Sequence, residues 1–189
     1  IRTRNIPGLK DITTGTWTLG PDLDPFLFLR WAEYIVGNGS LFAHDIMRYV
    51  PLGYDTAGEM KLLSYMIAWF YHTLSFFNKD MTITYAAIWF PVVMFALTAI
   101  AFFLFTRKIF YKESNDTKNI IALIATLLFV LVPSLLPRTI AGIPEKESVA
   151  FGFMFLAFYL FLEAFTSEKL KRKLILGVLA GVSTALMGL

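Results

Sequence analysis

The chain has 189 residues, of which 57% are hydrophobic and only 16% are charged, a composition that does not suit a soluble domain and favours membrane insertion. It contains no cysteine, which excludes disulfides, and its two histidines are too few for a His-rich zinc site. The net charge of +3 is too small to indicate a nucleic-acid-binding surface, so we expect no nucleic-acid partner.

The first part of the chain, residues 1–59, contains no long apolar run. In the stretch DPFLFLRWAEY, Asp24 precedes Pro25 and an aromatic-rich amphipathic run. This pattern is typical of a helix with Asp at the N-cap and Pro at its first position. We interpret the following pair, His44 and Asp45, as a surface pair, with a role as an additional metal ligand as the alternative.

Residues 60–77 predict a helix that either crosses the membrane or lies flat on it. Eighteen residues are enough for a crossing, but Lys61, His72 and several aromatic residues favour a helix at the membrane interface.

The rest of the chain contains four apolar runs that predict membrane-crossing helices. They are residues 82–105, 120–136, 148–165 and 174–189. The first run has 24 residues without a charge, and Pro91 within it can kink the helix.

Charge in the loops predicts the orientation of these helices. Residues 106–119 and residues 166–173 carry four Lys or Arg each, and short basic loops stay in the cytoplasm. The loop 137–147 between them is therefore expected outside. Residues 1–59 carry five Lys or Arg against seven acids. This favours a flat helix at 60–77, which puts residues 1–59 outside as well.

The loop 137–147 contains two carboxylates in the sequence Pro-Glu-Lys-Glu. One interpretation is a helix start, in which Pro takes the first position and each acid stabilises the helix dipole by about 0.3–1 kcal/mol. The other is a metal site, because Glu145 and Glu147 in an extended loop can point the same way. Mg²⁺ and Mn²⁺ bind such oxygens but need more ligands, and Asp24 is the candidate for a third acid.

Three stretches, in this order, resemble the catalytic subunit of oligosaccharyltransferase, the membrane enzyme of N-glycosylation. They are DPFLFLRWAEYIVGNG, YVPLGYDTAG and PRTIAGIPEKESVAF. The resemblance implies an all-α membrane fold of the GT-C type, with a long helical first outer loop (residues 1–81), transmembrane helices (residues 82–189) and a second outer loop (137–147). It also implies a fragment, inactive alone, without the first transmembrane helix and the C-terminal domain that reads the acceptor sequence.

The resemblance also implies roles for four residues. Asp24 matches a metal-binding Asp that contacts the acceptor amide, and Glu145 and Glu147 match the two acids of the second-loop motif. Asp24 and Glu147 are thus the expected catalytic residues, and all three acids the expected ligands of Mn²⁺ or Mg²⁺. Glu145 stands where the family usually has Asp. Arg138 matches the motif's Arg, which orients a carboxylate or meets a phosphate, with an interfacial anchor as the alternative.

The implied reaction transfers an oligosaccharide from a polyprenyl (dolichol-type) phosphate or diphosphate to Asn in Asn-x-Ser/Thr. The implied partners are the lipid-linked oligosaccharide, the acceptor polypeptide and membrane lipids. The expected location is an archaeal-type plasma membrane rather than the endoplasmic reticulum, with the site outside the cytoplasm. The alternatives are a transferase similar to protein O-mannosyltransferases, a transporter segment, and a scaffold whose acids only cap helices.

Overall fold

The computed structural model describes residues 1–188, which are mostly helical, as the composition and the apolar runs predict. The α-helices of this part of the chain are α1 (Asp24–Asn38), α2 (Leu62–Phe77), α3 (Ile83–Ile109), α4 (Asn115–Leu131), α5 (Lys146–Thr166) and α6 (Leu170–Leu186). Two short strands, β1 (His44–Asp45) and β2 (Tyr54–Asp55), form an antiparallel pair between α1 and α2.

The chain divides into two compact units. The first, which we call the helical unit, comprises residues 1–3, 91–140 and 145–188. The second, which we call the loop unit, comprises residues 4–90 and 141–144. The sequence predicted a different boundary, between an outer loop (residues 1–81) and transmembrane helices (residues 82–189). That boundary is defined by the membrane, and it remains a prediction.

Two of the predicted membrane crossings are helices in the structure that are long and apolar enough to cross a membrane. Within residues 1–188, α3 with 27 residues and α5 with 21 residues meet both criteria. Helices α4 and α6 have 17 residues each, and their crossing of the membrane remains a prediction. The last residue of the predicted fourth crossing, Leu189, lies outside the described residues.

Helices α3 and α5 run in the same direction within the helical unit. The contacts between them keep one order along both helices: Thr98 with Gly152, Phe102 with Phe155, Phe105 with Phe158 and Lys108 with Glu163. Gly152 allows the close approach, because a Cβ there would lie 3.2 Å from the Thr98 hydroxyl. Both helices therefore end at the same end of the unit.

Helix α4 runs in the opposite direction to α3. The Phe129 ring near its end stacks on Phe102 at 4.4 Å, and Asn119 near its start accepts a 2.7 Å hydrogen bond from Arg107 Nε at the end of α3. Arg172 at the start of α6 pairs with Glu163 at the end of α5. The two basic loops, 106–119 and 166–173, thus lie at the same end of the helical unit.

The core of the loop unit is the packing of α1 against α2. Trp31 and Ile67 are fully buried, and Ser64 Oγ donates a 3.1 Å hydrogen bond to the Phe28 carbonyl. The opposite side of α2 exposes Trp69 at 58% and Phe76 at 84% of their surface, alongside Phe77. Helix α2 therefore presents an exposed apolar surface away from the core, as a helix at a membrane interface requires. Its flat placement stays a prediction.

Candidate active site

The turn before the acidic motif is fixed by its backbone. Gly142 has φ +83°, which favours glycine, and a Cβ at this position would lie 2.5 Å from Leu9 Cδ1. Three hydrogen bonds hold the turn within the loop unit: Gly142 N to Ile88 O at 3.0 Å, Gly20 N to Gly142 O at 2.8 Å, and Asn5 Nδ2 to Ala141 O at 2.7 Å. The Ala-Gly pair of the motif is therefore a packed turn with no room for a side chain at Gly142.

Helix α5 begins at Lys146, before the predicted apolar run 148–165 and after the Pro144 start of the helix-start interpretation. Glu145 is its N-cap, with extended φ −118° and ψ 155°, and Lys146 is the first helical residue. The Glu145 carbonyl accepts hydrogen bonds from the Ser148 N–H at 3.0 Å and the Ser148 hydroxyl at 2.6 Å, which starts the helix there. The expectation that Pro144 takes the first helical position is wrong. The extended geometry expected for both glutamates is also wrong, because Glu147 is already helical.

The structure brings Arg138 and Glu145 together. Arg138 Nη1 lies 3.2 Å from Glu145 Oε1. The Glu145 side chain is 5% exposed, whereas that of Arg138 is 46% exposed. A buried carboxylate needs such a compensating charge. Of the roles considered for Arg138, orientation of a carboxylate is the one that this contact supports.

The other two acids are accessible and lie on separate units. Glu147 is half-buried in the first turn of α5, which belongs to the helical unit. Asp24 is exposed and is the first residue of α1, which belongs to the loop unit. Leu23 takes the N-cap position predicted for Asp24. The convergence of Asp24 with Glu145 and Glu147 stays a prediction.

The acids fit a metal site only in part. Within residues 1–188, no three His, Asp or Glu side chains are grouped so that they could hold a metal ion. Asp24 and Glu147 offer accessible carboxylate oxygens, the ligand type that Mg²⁺ and Mn²⁺ prefer. Glu145 fits less well, because its carboxylate is buried and its negative charge is already compensated by Arg138.

Sequence reasoning missed a second Arg–carboxylate pair, in the loop unit. Asp45, interpreted as a surface residue, is 1% exposed. It forms a bidentate ion pair with Arg30, in which Nη1 and Nη2 of the guanidinium each donate to one carboxylate oxygen. Trp31 Nε1 also donates to Asp45 at 3.2 Å, and Met47 N donates at 3.0 Å. The Arg30 hydrogen bonds, aided by Trp31 and Met47, lower the pKa of the Asp45 carboxyl to about 2. With its oxygens engaged, Asp45 is not available as the additional metal ligand considered above.

The neighbouring histidine supports the same hairpin. His44 Nε2 lies 3.0 Å from the Leu52 carbonyl oxygen, and Gly53 next to it has φ +76°. A Cβ at Gly53 would lie 2.1 Å from His44 Nε2, which explains why Gly ends the Pro-Leu-Gly stretch. A groove of about 550 Å³ adjoins the Arg30–Asp45 pair, lined in part by Tyr34 and Phe42.

This helical membrane fold is of the GT-C type. It matches the crystal structure of the Archaeoglobus fulgidus oligosaccharyltransferase in complex with Zn and sulfate, with a TM-score of 0.73 and 22% sequence identity. The match covers 93% of this chain and 22% of that chain. The fold predicted from the sequence is confirmed.

The family model described as "Oligosaccharyl transferase STT3, N-terminal" matches residues 13–189, and the chain belongs to this family. It is 26% identical over 177 residues to the dolichyl-phosphooligosaccharide-protein glycotransferase of Methanococcus voltae, covering 87% of this chain and 18% of that protein. It is 25% identical over 134 residues to the protein of the same name from Methanocaldococcus jannaschii, covering 65% of this chain and 14% of that protein. The chain therefore spans less than a fifth of the length of these relatives.

Proposed function

We propose that this chain forms part of a membrane glycosyltransferase. The enzyme transfers an oligosaccharide from a polyprenyl (dolichol-type) phosphate or diphosphate to the Asn side chain of Asn-x-Ser/Thr. The observation that carries the proposal is the family match over residues 13–189. The relatives named as dolichyl-phosphooligosaccharide-protein glycotransferases support the donor and acceptor classes.

The proposed chemistry assigns the accessible acids to the acceptor. An Asn carboxamide nitrogen is a poor nucleophile, because its lone pair is delocalised into the carbonyl. Asp24 and Glu147 would accept its N–H hydrogen bonds and orient the nitrogen for attack. Bound Mn²⁺ or Mg²⁺ would stabilise the phosphate leaving group. The ion would be held mainly by Asp24 and Glu147. Glu145 would contribute less, because its carboxylate is buried and paired with Arg138.

Arg138 has two proposed contacts. Its guanidinium balances the buried Glu145 carboxylate, and nearly half of its side chain is exposed. A guanidinium binds phosphate oxygens as well as it binds carboxylates. We assign the exposed part of Arg138 to a phosphate of the lipid-linked donor.

The proposed location is an archaeal-type plasma membrane, with Asp24 and residues 137–147 on the non-cytoplasmic side. The archaeal relatives and the membrane fold support it. Single cysteines at positions 112 and 137 of this cysteine-free chain test the orientation. An impermeant reagent applied outside should label position 137 only, and labelling of position 112 alone would reverse the assignment.

The function is tested with the full-length enzyme, a lipid-linked oligosaccharide and an Asn-x-Ser/Thr peptide, by mass spectrometry of the glycopeptide. Asp24→Asn and Glu147→Gln should each lower transfer by about a hundredfold and alter the Mn²⁺ dependence. Asp80→Asn, a matched change of an exposed loop acid, should leave both unchanged. If both site variants transfer at the wild-type rate with unchanged metal dependence, these acids are helix-start residues only.

A further inference from the structure

The ends of three helices meet in one charged cluster of the helical unit. Lys108 Nζ lies 2.9 Å from Glu163 Oε1, and Arg172 Nη2 lies 3.1 Å from Glu163 Oε2. Lys108 belongs to the end of α3, Glu163 to the end of α5 and Arg172 to the start of α6. A single acid thus joins the two basic loops into one surface, the basic rim, which comprises residues 106–119 and 166–173 together with Glu163.

The basic rim concentrates the positive charge of the chain. It contains eight bases: Arg107, Lys108, Lys112, Lys118, Lys169, Lys171, Arg172 and Lys173. Its four acids are Glu113, Asp116, Glu163 and Glu168. Eight bases minus four acids give +4, whereas the whole chain carries only +3, so the remainder is about neutral. Positive charge is therefore a local property of this end of the helical unit.

The rim lies where two apolar helices end. Helices α3 and α5, both long and apolar enough to cross a membrane, run in the same direction and end at the Lys108–Glu163 contact. Apolar side chains are exposed among the charges, including Tyr111 at 49% and Leu170 at 69%. Such a mixture is typical of the boundary between hydrocarbon and lipid headgroups.

We propose that the basic rim binds the anionic headgroups of phospholipids in the leaflet that it faces. Glu163 engages Lys108 and Arg172, which fixes the three helix ends. The exposed lysines around this cluster, among them Lys169, Lys171 and Lys173 at the start of α6, contact lipid phosphates. The exposed apolar residues and the two membrane-length helices favour a lipid surface over a soluble anion or nucleic acid.

The test uses the full-length protein in nanodiscs with spin-labelled lipids. The fraction of immobilised anionic lipid, phosphatidylglycerol, is compared with that of phosphatidylcholine. We expect the wild type to favour the anionic lipid by about threefold or more, and roughly 0.5 M salt to weaken this preference. The triple variant Lys169→Gln, Lys171→Gln, Lys173→Gln should lose most of it.

The matched control removes three lysines from the loop unit: Lys10→Gln, Lys61→Gln and Lys79→Gln. It has the same net charge as the rim variant and should keep the wild-type preference. Equal effects of the two triple variants, or no preference in the wild type, would overturn the proposal. Displacement of the anionic lipid by millimolar inorganic phosphate would also overturn it, since it would indicate a soluble phosphate site.

Discussion

The Arg30–Asp45 and Arg138–Glu145 pairs place the same chemical motif in two different environments. Asp45 is engaged by Arg30, Trp31 and Met47, and only 28% of the Arg30 side chain is exposed. The Arg138 side chain is 46% exposed, and its Nη1 lies 3.2 Å from Glu145 Oε1. In the first pair the carboxylate has several donors, whereas in the second nearly half of the arginine side chain is exposed.

The two pairs differ in how far the arginine remains accessible to a further partner. Removing one partner from a closed buried pair leaves an uncompensated charge and strongly destabilises the fold. The Glu145 carboxylate is buried as well, so loss of Arg138 also costs stability, but the Arg138 side chain is exposed enough to contact a further partner. We therefore expect Arg30 to act in folding of the loop unit and Arg138 to act both in folding and in transfer.

The largest expected effect is that of Arg30→Met. It should destabilise the loop unit by about 3–5 kcal/mol, because Asp45 would be buried without its cation. Hydrogen exchange of residues 44–56 in the full-length protein measures this directly. The control is Arg4→Met, which changes an exposed arginine of the same unit and should leave exchange unchanged. Unchanged protection in Arg30→Met would mean that the pair contributes little.

Arg138→Met should lower oligosaccharide transfer by the folded protein by about a hundredfold, and it should also lower the melting temperature, because the buried Glu145 carboxylate loses its compensating charge. This prediction depends on the proposed contact with the donor phosphate. Arg138→Lys keeps the charge but not the planar guanidinium, so it should recover only part of the activity. A loss of stability with normal transfer by the folded fraction would contradict the role of Arg138 in transfer.

The course of the helices was largely predictable from the sequence. The uncharged run 82–105 corresponds to α3, and the run 148–165 corresponds to α5. The start of α4 at Asn115, five residues before the apolar run, was missed, because it depends on Ser114, which caps the helix by accepting a hydrogen bond from the Thr117 N–H. Its end at Leu131 precedes Pro133, which disfavours the helical conformation in the residue before it.

The candidate site was only partly predictable, because its key contacts join residues that no spacing rule relates. Arg30 lies in α1 and Asp45 in β1, with the end of α1 and a loop between them in the sequence. The dipeptide His-Asp has no feature that indicates burial. Arg138 and Glu145 were both singled out, but their contact depends on the turn at Gly142. Backbone groups distant in sequence fix that turn, and no local pattern records them.

Gly142→Ala tests whether this turn needs glycine. Alanine should cost about 2–3 kcal/mol, because φ +83° is unfavourable for it and its Cβ would overlap Leu9. Gly37→Ala is the control, since this helical position of α1 has open space around a Cβ and should gain up to about 1 kcal/mol. Thermal unfolding of both variants measures the difference. Equal melting temperatures would mean that the turn relaxes freely.

The smallest expected effect is the dependence of stability on pH through the Arg30–Asp45 pair. The Arg30 guanidinium lowers the pKa of Asp45 to about 2 in the folded protein, below the ordinary value of an aspartate, so this pair contributes stability at pH values above the unfolded pKa. This contribution, about 2 kcal/mol, should be lost as the pH falls from about 4 to about 2. Hydrogen exchange of residues 44–56, corrected for intrinsic rates, should show constant protection between about pH 7 and 5 and a loss below 4. In Arg30→Met the pKa of Asp45 rises with the loss of its cation, so acidification no longer removes stability through this group and the loss of protection below pH 4 should disappear. A loss of protection below pH 4 that persists in Arg30→Met would assign it to another carboxylate.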